Sequence, residues 1–198
     1  MSLYSDFFFK YNKSMSFIDY LFLEYPIPRK LSIWQDTLYD TAVSSLDSLI
    51  SLCVQSLASD IMITESMKAY GTSTYLPDDA VTVCNVKLDF MFQGNKYVKF
   101  NWNPGTKECF VRYYPAIITY RRKLKVADLD NLQGDMLRYA LYFVLSKMAE
   151  KELTVLSTVK VNTDTASIDT SALQSFMSDC KQKFEELKKG IHLYTVTF

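Results

Sequence analysis

The chain has 198 residues, a length that suits one folded domain, with or without an arm, and allows a sizeable hydrophobic core. Its 22 Lys and Arg balance 22 Asp and Glu, so the chain lacks the positive excess of a dedicated nucleic-acid-binding protein, although a local basic patch is compatible with this balance. Aromatic residues make up 15% of the chain, which is typical either of an aromatic core or of a contact surface.

The four cysteines, Cys53, Cys84, Cys109 and Cys180, are scattered, and the only histidine is His192. Zinc needs clustered ligands, so we expect buried free thiols and no metal site. The N-terminus lacks the pattern of a signal peptide, and the sequence lacks the uninterrupted apolar stretch of a membrane span. Synthesis in a cytoplasm is therefore expected.

Residues 1–31 form an aromatic N-terminal segment. Pro26 and Pro28 disfavour helix and separate this segment from the next predicted helix. Either the segment packs on its own domain, or it is an arm that reaches a neighbouring subunit. The residues that such an arm would place in a subunit interface are Tyr4, Phe7, Phe8, Phe9, Tyr11, Phe17, Tyr20 and Phe22.

Residues 32–198 are predicted to form a single domain that begins with an amphipathic helix. Ser32 and Gln35 have the spacing of a capping box, and apolar residues then recur at helical spacing to about Ser59. A short extended piece is expected at Ile61–Ile63, followed by a turn-rich loop at 71–79.

From Val81 the apolar period changes to two, which is typical of strands. The segments 88–92 and 98–102 alternate on either side of a Gln-Gly-Asn turn and predict a hairpin. Two further strands are predicted at 109–114 and 116–124. Four strands joined by short turns indicate an antiparallel meander.

The strongest helical pattern runs from Asp128 to Ser157, where most of the circumference is apolar, as in a helix buried in a core or between subunits. The β-branched stretch 154–161 is predicted to be extended. A last helix is predicted over 169–189, and a strand or extended tail over 191–198. The apolar stripe of this last helix is Leu173, Phe176, Met177, Cys180, Phe184 and Leu187. The predicted fold class is therefore α+β, an antiparallel β-meander flanked by three longer α-helices.

Side-chain patterns of catalysis are weak in this sequence. Its five glycines are too dispersed for a phosphate-binding loop, so we expect no nucleotide cofactor. Asp128, Asp130 and Asp135 could form an acid pair in an enzyme of unrecognised type. They also flank the start of the central helix, where carboxylates interact favourably with the helix dipole, and that interpretation is sufficient. No catalytic, cofactor-binding or metal-binding residue is predicted.

One basic cluster stands out, next to Tyr120. It consists of Arg121, Arg122, Lys123 and Lys125. Cations interleaved with aromatics are typical of nucleic-acid-binding surfaces. A solvated strand edge or a surface for an acidic partner is the alternative.

A resemblance rests on the order of elements in residues 80–198. The runs that carry it are Tyr113-Tyr-Pro-Ala-Ile-Ile-Thr-Tyr, Asp128-Leu-Asp-Asn-Leu, Lys147-Met-Ala-Glu-Lys-Glu-Leu, Asn162-Thr-Asp-Thr, Ile168-Asp and Leu187-Lys-Lys-Gly-Ile. This order resembles the C-terminal half of virion structural proteins of tailed bacteriophages, of the neck or head-to-tail connector kind.

The resemblance implies a non-enzymatic subunit of a ring that joins portal to tail and through which DNA passes. Its partners would be further copies of itself and neighbouring portal or tail proteins, with the basic cluster facing DNA without sequence preference. The protein would be located in the virion after synthesis in the host cytoplasm. The alternatives are a monomeric protein- or peptide-binding adaptor and an enzyme with an unrecognised site.

Overall fold

The computed structural model describes residues 15–27, 32–34, 40–89, 96–159, 170–190 and 194–197. Its helices are α1 (Phe17–Glu24), α2 (Asp40–Leu57), α3 (Gly134–Val159) and α4 (Thr170–Gly190), with a 3-10 turn at Val126–Asn131. Its strands are β1 (Ile61–Ala69), β2 (Ser73–Tyr75), β3 (Ala80–Leu88), β4 (Phe100–Asn103), β5 (Glu108–Val111), β6 (Ala116–Lys123) and β7 (Tyr194–Thr197). The predicted α+β class, with antiparallel strands and longer helices, is confirmed.

The chain divides into two compact units. The helical unit takes its described residues from Met1–Ser56 and Lys125–His192, and the sheet unit takes its own from Leu57–Leu124 and Leu193–Phe198. The predicted boundary at residue 31 falls inside the helical unit, and the segment 32–198 contributes to both units.

In the helical unit, α3 is buried around most of its circumference, as the sequence predicted. Its buried side chains include Leu137, Tyr139, Ala140, Leu141, Val144, Leu145, Met148 and Ala149. The helix continues to Val159, so the prediction of extended structure from residue 154 is wrong for 154–159. The Thr154 hydroxyl donates to the Glu150 carbonyl at 2.9 Å, a bond by which a threonine is accommodated within a helix.

Helix α1 begins at a capping box formed by Ser16 and Asp19. The Asp19 amide donates to the Ser16 hydroxyl at 3.2 Å, and the Ser16 amide donates to the Asp19 carboxylate at 3.1 Å. Phe17, Tyr20 and Leu21 are buried. Part of the aromatic N-terminal segment therefore contributes to the core of its own unit.

Helix α2 confirms the predicted amphipathic helix, with Ile50, Cys53 and Leu57 among its buried residues. Gln35 lies outside the described residues, so the capping box with Ser32 stays a prediction.

In the sheet unit the strands do not lie side by side in chain order. One sheet has the order β3-β6-β1-β7, in which β7 is parallel to β1, and a second antiparallel sheet has the order β2-β5-β4. The described part of the predicted hairpin pairs at its base, where the Val98 amide donates to the Val86 carbonyl at 3.0 Å, and its turn lies outside the described residues. Beyond that point the chain enters the second sheet, where β4 pairs with β5. The predicted meander is therefore corrected to two sheets.

A shared hydrophobic core explains why two sheets form. Apolar residues of both sheets make one buried cluster: Ala69, Leu76, Ala80, Val83, Val86, Cys109, Val111, Ala116, Ile118 and Tyr120. Because successive side chains of a strand point to opposite faces, one face of each sheet can fill this core while the other stays outside. Each sheet is thus left with an outward face.

Helix α4 confirms the predicted apolar stripe. Leu173 and Cys180 are buried, and the half-buried Phe184 ring stacks on Tyr139 at 4.5 Å and lies 4.9 Å from the Phe143 ring. Aromatic pairs at such distances add stabilisation beyond that of buried area.

We expect Phe184→Ala to lower the free energy of unfolding by about 2–3 kcal/mol, less than the ~3–5 kcal/mol of a fully buried Phe truncation because the ring is only half-buried. Urea unfolding measures this loss, with exposed Gln174→Ala on the same helix as the control. A loss below about 0.5 kcal/mol, the size typical of a surface substitution, would contradict the packing of α4 on α3.

Candidate functional site

The basic cluster is split by the two-residue period of β6. Arg122 points inward and is 7% exposed. Its Nε and Nη2 atoms donate to Glu65 Oε1 at 2.8 and 2.6 Å, and Asp79 Oδ2 lies 3.9 Å from Nε. A buried guanidinium needs such partners, because an unpaired buried charge is strongly destabilising. Arg122 is therefore committed to the interior of the sheet unit.

Tyr120 belongs to the same internal network. Its hydroxyl donates to Glu65 Oε2 at 2.9 Å. Burial, followed by the hydrogen bond to Glu65, raises the pKa of Tyr120 to about 12. Glu65 thus accepts hydrogen bonds from two inward residues of β6.

Arg121 and Lys123 lie on the outward face of the same strand. Arg121 is opposite Thr64, and Lys123 is opposite Met62. Lys68 on β1 and Lys87 on β3 both lie opposite Ile117 on this face. We name the set Arg121, Lys123, Lys68 and Lys87 the basic face.

The composition of the sheet unit adds to the charge of the basic face. This unit contains nine Lys or Arg against six Asp or Glu, a formal charge of +3, so the helical unit carries −3. The neutrality of the whole chain conceals this separation. On the basic face, Lys68 is paired with Asp89 at 2.9 Å. Arg121 Nε is buried without a hydrogen-bond partner among the described residues.

Lys125, the fourth member of the predicted cluster, belongs to the helical unit. Its backbone amide donates to Asp128 Oδ2 at 2.8 Å. The structure therefore brings together Arg121 and Lys123 but assigns Arg122 to the interior and Lys125 to the other unit.

The predicted interface residues of the N-terminal segment divide into two groups. Phe17 and Tyr20 are buried within the helical unit, and Phe22 is half-buried. Phe17 is also held through its backbone amide, which donates to Asp130 Oδ1 at 2.7 Å. The remaining residues lie outside the described part of the chain: Tyr4, Phe7, Phe8, Phe9 and Tyr11.

The three aspartates near the start of α3 have separate partners. Asp128 accepts from the Lys125 amide, Asp130 from the Phe17 amide, and Asp135 from Arg138 Nη1 at 3.5 Å. These contacts agree with the structural interpretation of the acidic cluster, since each carboxylate binds a donor of its own unit.

Glu152, which no sequence motif singled out, is a fully buried carboxylate on α3. It accepts from the Tyr25 hydroxyl at 2.6 Å, the Ser32 hydroxyl at 3.2 Å and the Ile33 amide at 3.3 Å. Burial, and then the hydrogen bond to Glu152, raises the pKa of Tyr25. The sequence signal was a single Glu in line with buried Leu145 and Met148.

The cysteines are all free thiols, and three of them are buried, as predicted. Burial raises the pKa of Cys53 and Cys109 to about 11 and that of Cys180 to about 12, so these thiols stay protonated near neutral pH. Cys84 is exposed on β3, so the prediction that it is buried is wrong.

In the described part of the chain, no group of three acidic, Cys or His residues is arranged to hold a metal ion.

The second sheet carries aromatic side chains on its outward face. Tyr75 is 66% exposed and Phe110 is 45% exposed, while Cys109 and Val111 on the inward face are buried. The sequence shows that side chains of β5 alternate between two faces. It does not indicate which of these faces packs into the core.

Among the described helices, none has a stretch long and apolar enough to cross a membrane. Comparison of the chain with protein-family models and with curated proteins finds no match.

We expect Tyr25→Phe to destabilise the protein by about 1.5–3 kcal/mol, because a buried carboxylate loses one of its donors. The matched control is Tyr70→Phe, whose ring is 73% exposed and which should change stability little. Urea unfolding of both variants measures the difference. Equal free energies of unfolding for the two variants would show that the Tyr25 hydroxyl does not stabilise the helical unit.

Proposed function

We propose that this chain is a non-enzymatic structural subunit of a tailed-phage neck or head-to-tail connector ring, joining portal to tail around the DNA passage. The observation that carries the proposal is the basic face of the sheet unit. The proposal also rests on the resemblance of residues 80–198 to this kind of virion protein. Its partners are further copies of the chain and portal or tail proteins, and it is located in the virion after synthesis in the host cytoplasm.

The chemistry of the basic face suits contact with duplex phosphates rather than with bases. Its cations are carried by long side chains across neighbouring strands, among small polar residues such as Ser66 and Thr119. Phosphate contacts give affinity and orientation but carry no sequence information, which is what a passage for a whole genome requires.

Arg121 contributes a partly exposed guanidinium to the basic face. Its Nε donor is buried and lacks a hydrogen-bond partner among the described residues. Contact with a phosphate would therefore use the rest of the guanidinium, a charged group with several further donors.

The internal use of carboxylates supports a scaffold rather than an active site. Glu65 and Glu152 each accept several hydrogen bonds inside their own unit. Carboxylates satisfied in this way rigidify a protein, a property that suits a subunit whose role is to hold its neighbours in register.

The DNA contact is tested by duplex binding at several salt concentrations. We expect weak binding without sequence preference, and we expect Arg121→Ala/Lys123→Ala to reduce the slope of log K against log salt by roughly 2, about one unit for each lost phosphate contact. Lys181→Ala/Lys189→Ala on the exposed surface of α4 removes the same charge from the helical unit and should leave the slope unchanged. Sequence-specific binding, or equal slopes for both variants, would contradict a passage lined by the basic face.

Assembly is tested separately, by mass spectrometry of purified phage particles and by electron microscopy of the protein. We expect mass spectrometry to find many copies of the chain in each particle. We expect electron microscopy to show rings of the protein when its portal partner is present. Absence from particles, together with a monomer that captures one partner protein, would contradict the structural role and favour the adaptor alternative.

A further inference from the structure

The outward face of the β2-β5-β4 sheet is a second surface, separate from the basic face. We name it the aromatic face and define it as Tyr75, Asn101, Asn103, Glu108, Phe110 and Arg112. The inward side of this sheet fills the core of the sheet unit, so the aromatic face takes no part in that core. Its two aromatic rings are too exposed, at 66% for Tyr75 and 45% for Phe110, to contribute mainly to folding.

Strand register places these side chains next to one another. Phe110 on the central strand lies opposite Asn101 on one side and Ser73 on the other. Tyr75 and Asn103 both lie opposite Glu108, two residues from Phe110 on the same face. Tyr75 and Phe110 are therefore diagonal neighbours, about 7–8 Å apart at the backbone. This spacing presents two rings to one extended ligand.

The groups around the rings are amides and cations. Asn101 and Asn103 are exposed, and each has a side-chain NH2 group that can donate. The Asn103 Oδ1 atom already accepts from the Gly105 amide at 3.0 Å. Arg112 is exposed directly after β5, with its guanidinium 5.6 Å from the centre of the Tyr113 ring. Exposed Lys99 directly precedes β4. The one carboxylate of this face, Glu108, accepts a hydrogen bond from the Ser73 hydroxyl.

We propose that the aromatic face binds single-stranded nucleic acid, with bases stacked on Phe110 and Tyr75 and the backbone near Arg112. Stacking on exposed aromatic rings needs unpaired bases, which a duplex does not offer. The +3 charge of the sheet unit complements a polyanion. The Asn amides can bind base edges. This inference is independent of the connector proposal, which uses phosphate contacts on the other sheet.

The test is fluorescence anisotropy with labelled oligo-dT and oligo-U of about a dozen nucleotides, a length within the site sizes of single-strand-binding domains. Phe110→Ala should weaken binding roughly 10-fold or more, and Tyr75→Ala similarly, because each removes one stacking surface. Phe110→Trp should retain binding, because it keeps a stacking surface. Thermal unfolding establishes that each variant is folded, as expected for exposed positions.

Two further variants distinguish base stacking on the aromatic face from binding elsewhere on the sheet unit. Glu108→Gln should tighten oligonucleotide binding, since it removes a negative charge from the face while keeping the acceptor for Ser73. Arg121→Ala/Lys123→Ala should weaken duplex binding and change single-strand binding by less than about two-fold.

The proposal is overturned by absence of binding to both oligonucleotides at low salt, or by binding that Phe110→Ala and Tyr75→Ala leave unchanged. It is equally overturned if the duplex competes better than the single strand at this face. If Phe110→Ala instead abolishes capture of a protein while oligonucleotide binding persists, the aromatic face is a protein-docking surface and the proposal is wrong.

Discussion

The sheet unit depends on one geometric constraint, the alternation of side chains along β6. This strand lies between β3 and β1, and one of its faces contributes to the hydrophobic core while the other points outward. Ile118, Tyr120 and Arg122 are buried on the inward face, and Arg121 and Lys123 lie on the other. A shift of register by one residue would bury Lys123 and expose Ile118. The hydrophobic core and the Arg122–Glu65 ion pair together prevent this shift. The Arg122–Glu65 pair thus helps to fix the register of β6, as the hydrophobic core does.

The helical unit uses a buried carboxylate for a similar purpose. Glu152 lies on the most deeply packed helix, where a buried polar group is tolerated only when it is hydrogen-bonded. Its donors come from a distant part of the chain, at Tyr25, Ser32 and Ile33. Many apolar segments could pack on the hydrophobic surface of α3. A buried carboxylate accepts only a segment that supplies hydrogen-bond donors at the right positions. The contact therefore specifies where these three residues lie on the helix.

The helices were predictable from the sequence because their signals are local. The apolar period of α3 and the stripe of α4 depend only on neighbours three or four residues apart. Thr154–Val159 was mispredicted because β-branched residues favour strands, but here they continue a helix already held by packing. The order of the strands and the burial of Arg122 were not predictable in this way, because both depend on partners such as Glu65 that are distant in sequence.

Contact between DNA and the outward side of β6 and its neighbours is the central claim. Amine labelling followed by mass spectrometry tests it directly at each lysine, with and without duplex DNA. We predict that DNA protects Lys68 and Lys123 on the basic face and leaves Lys181 and Lys189 on α4 as reactive as before. Protection of the α4 lysines, or unchanged reactivity of Lys68 and Lys123 in DNA-bound protein, would contradict it.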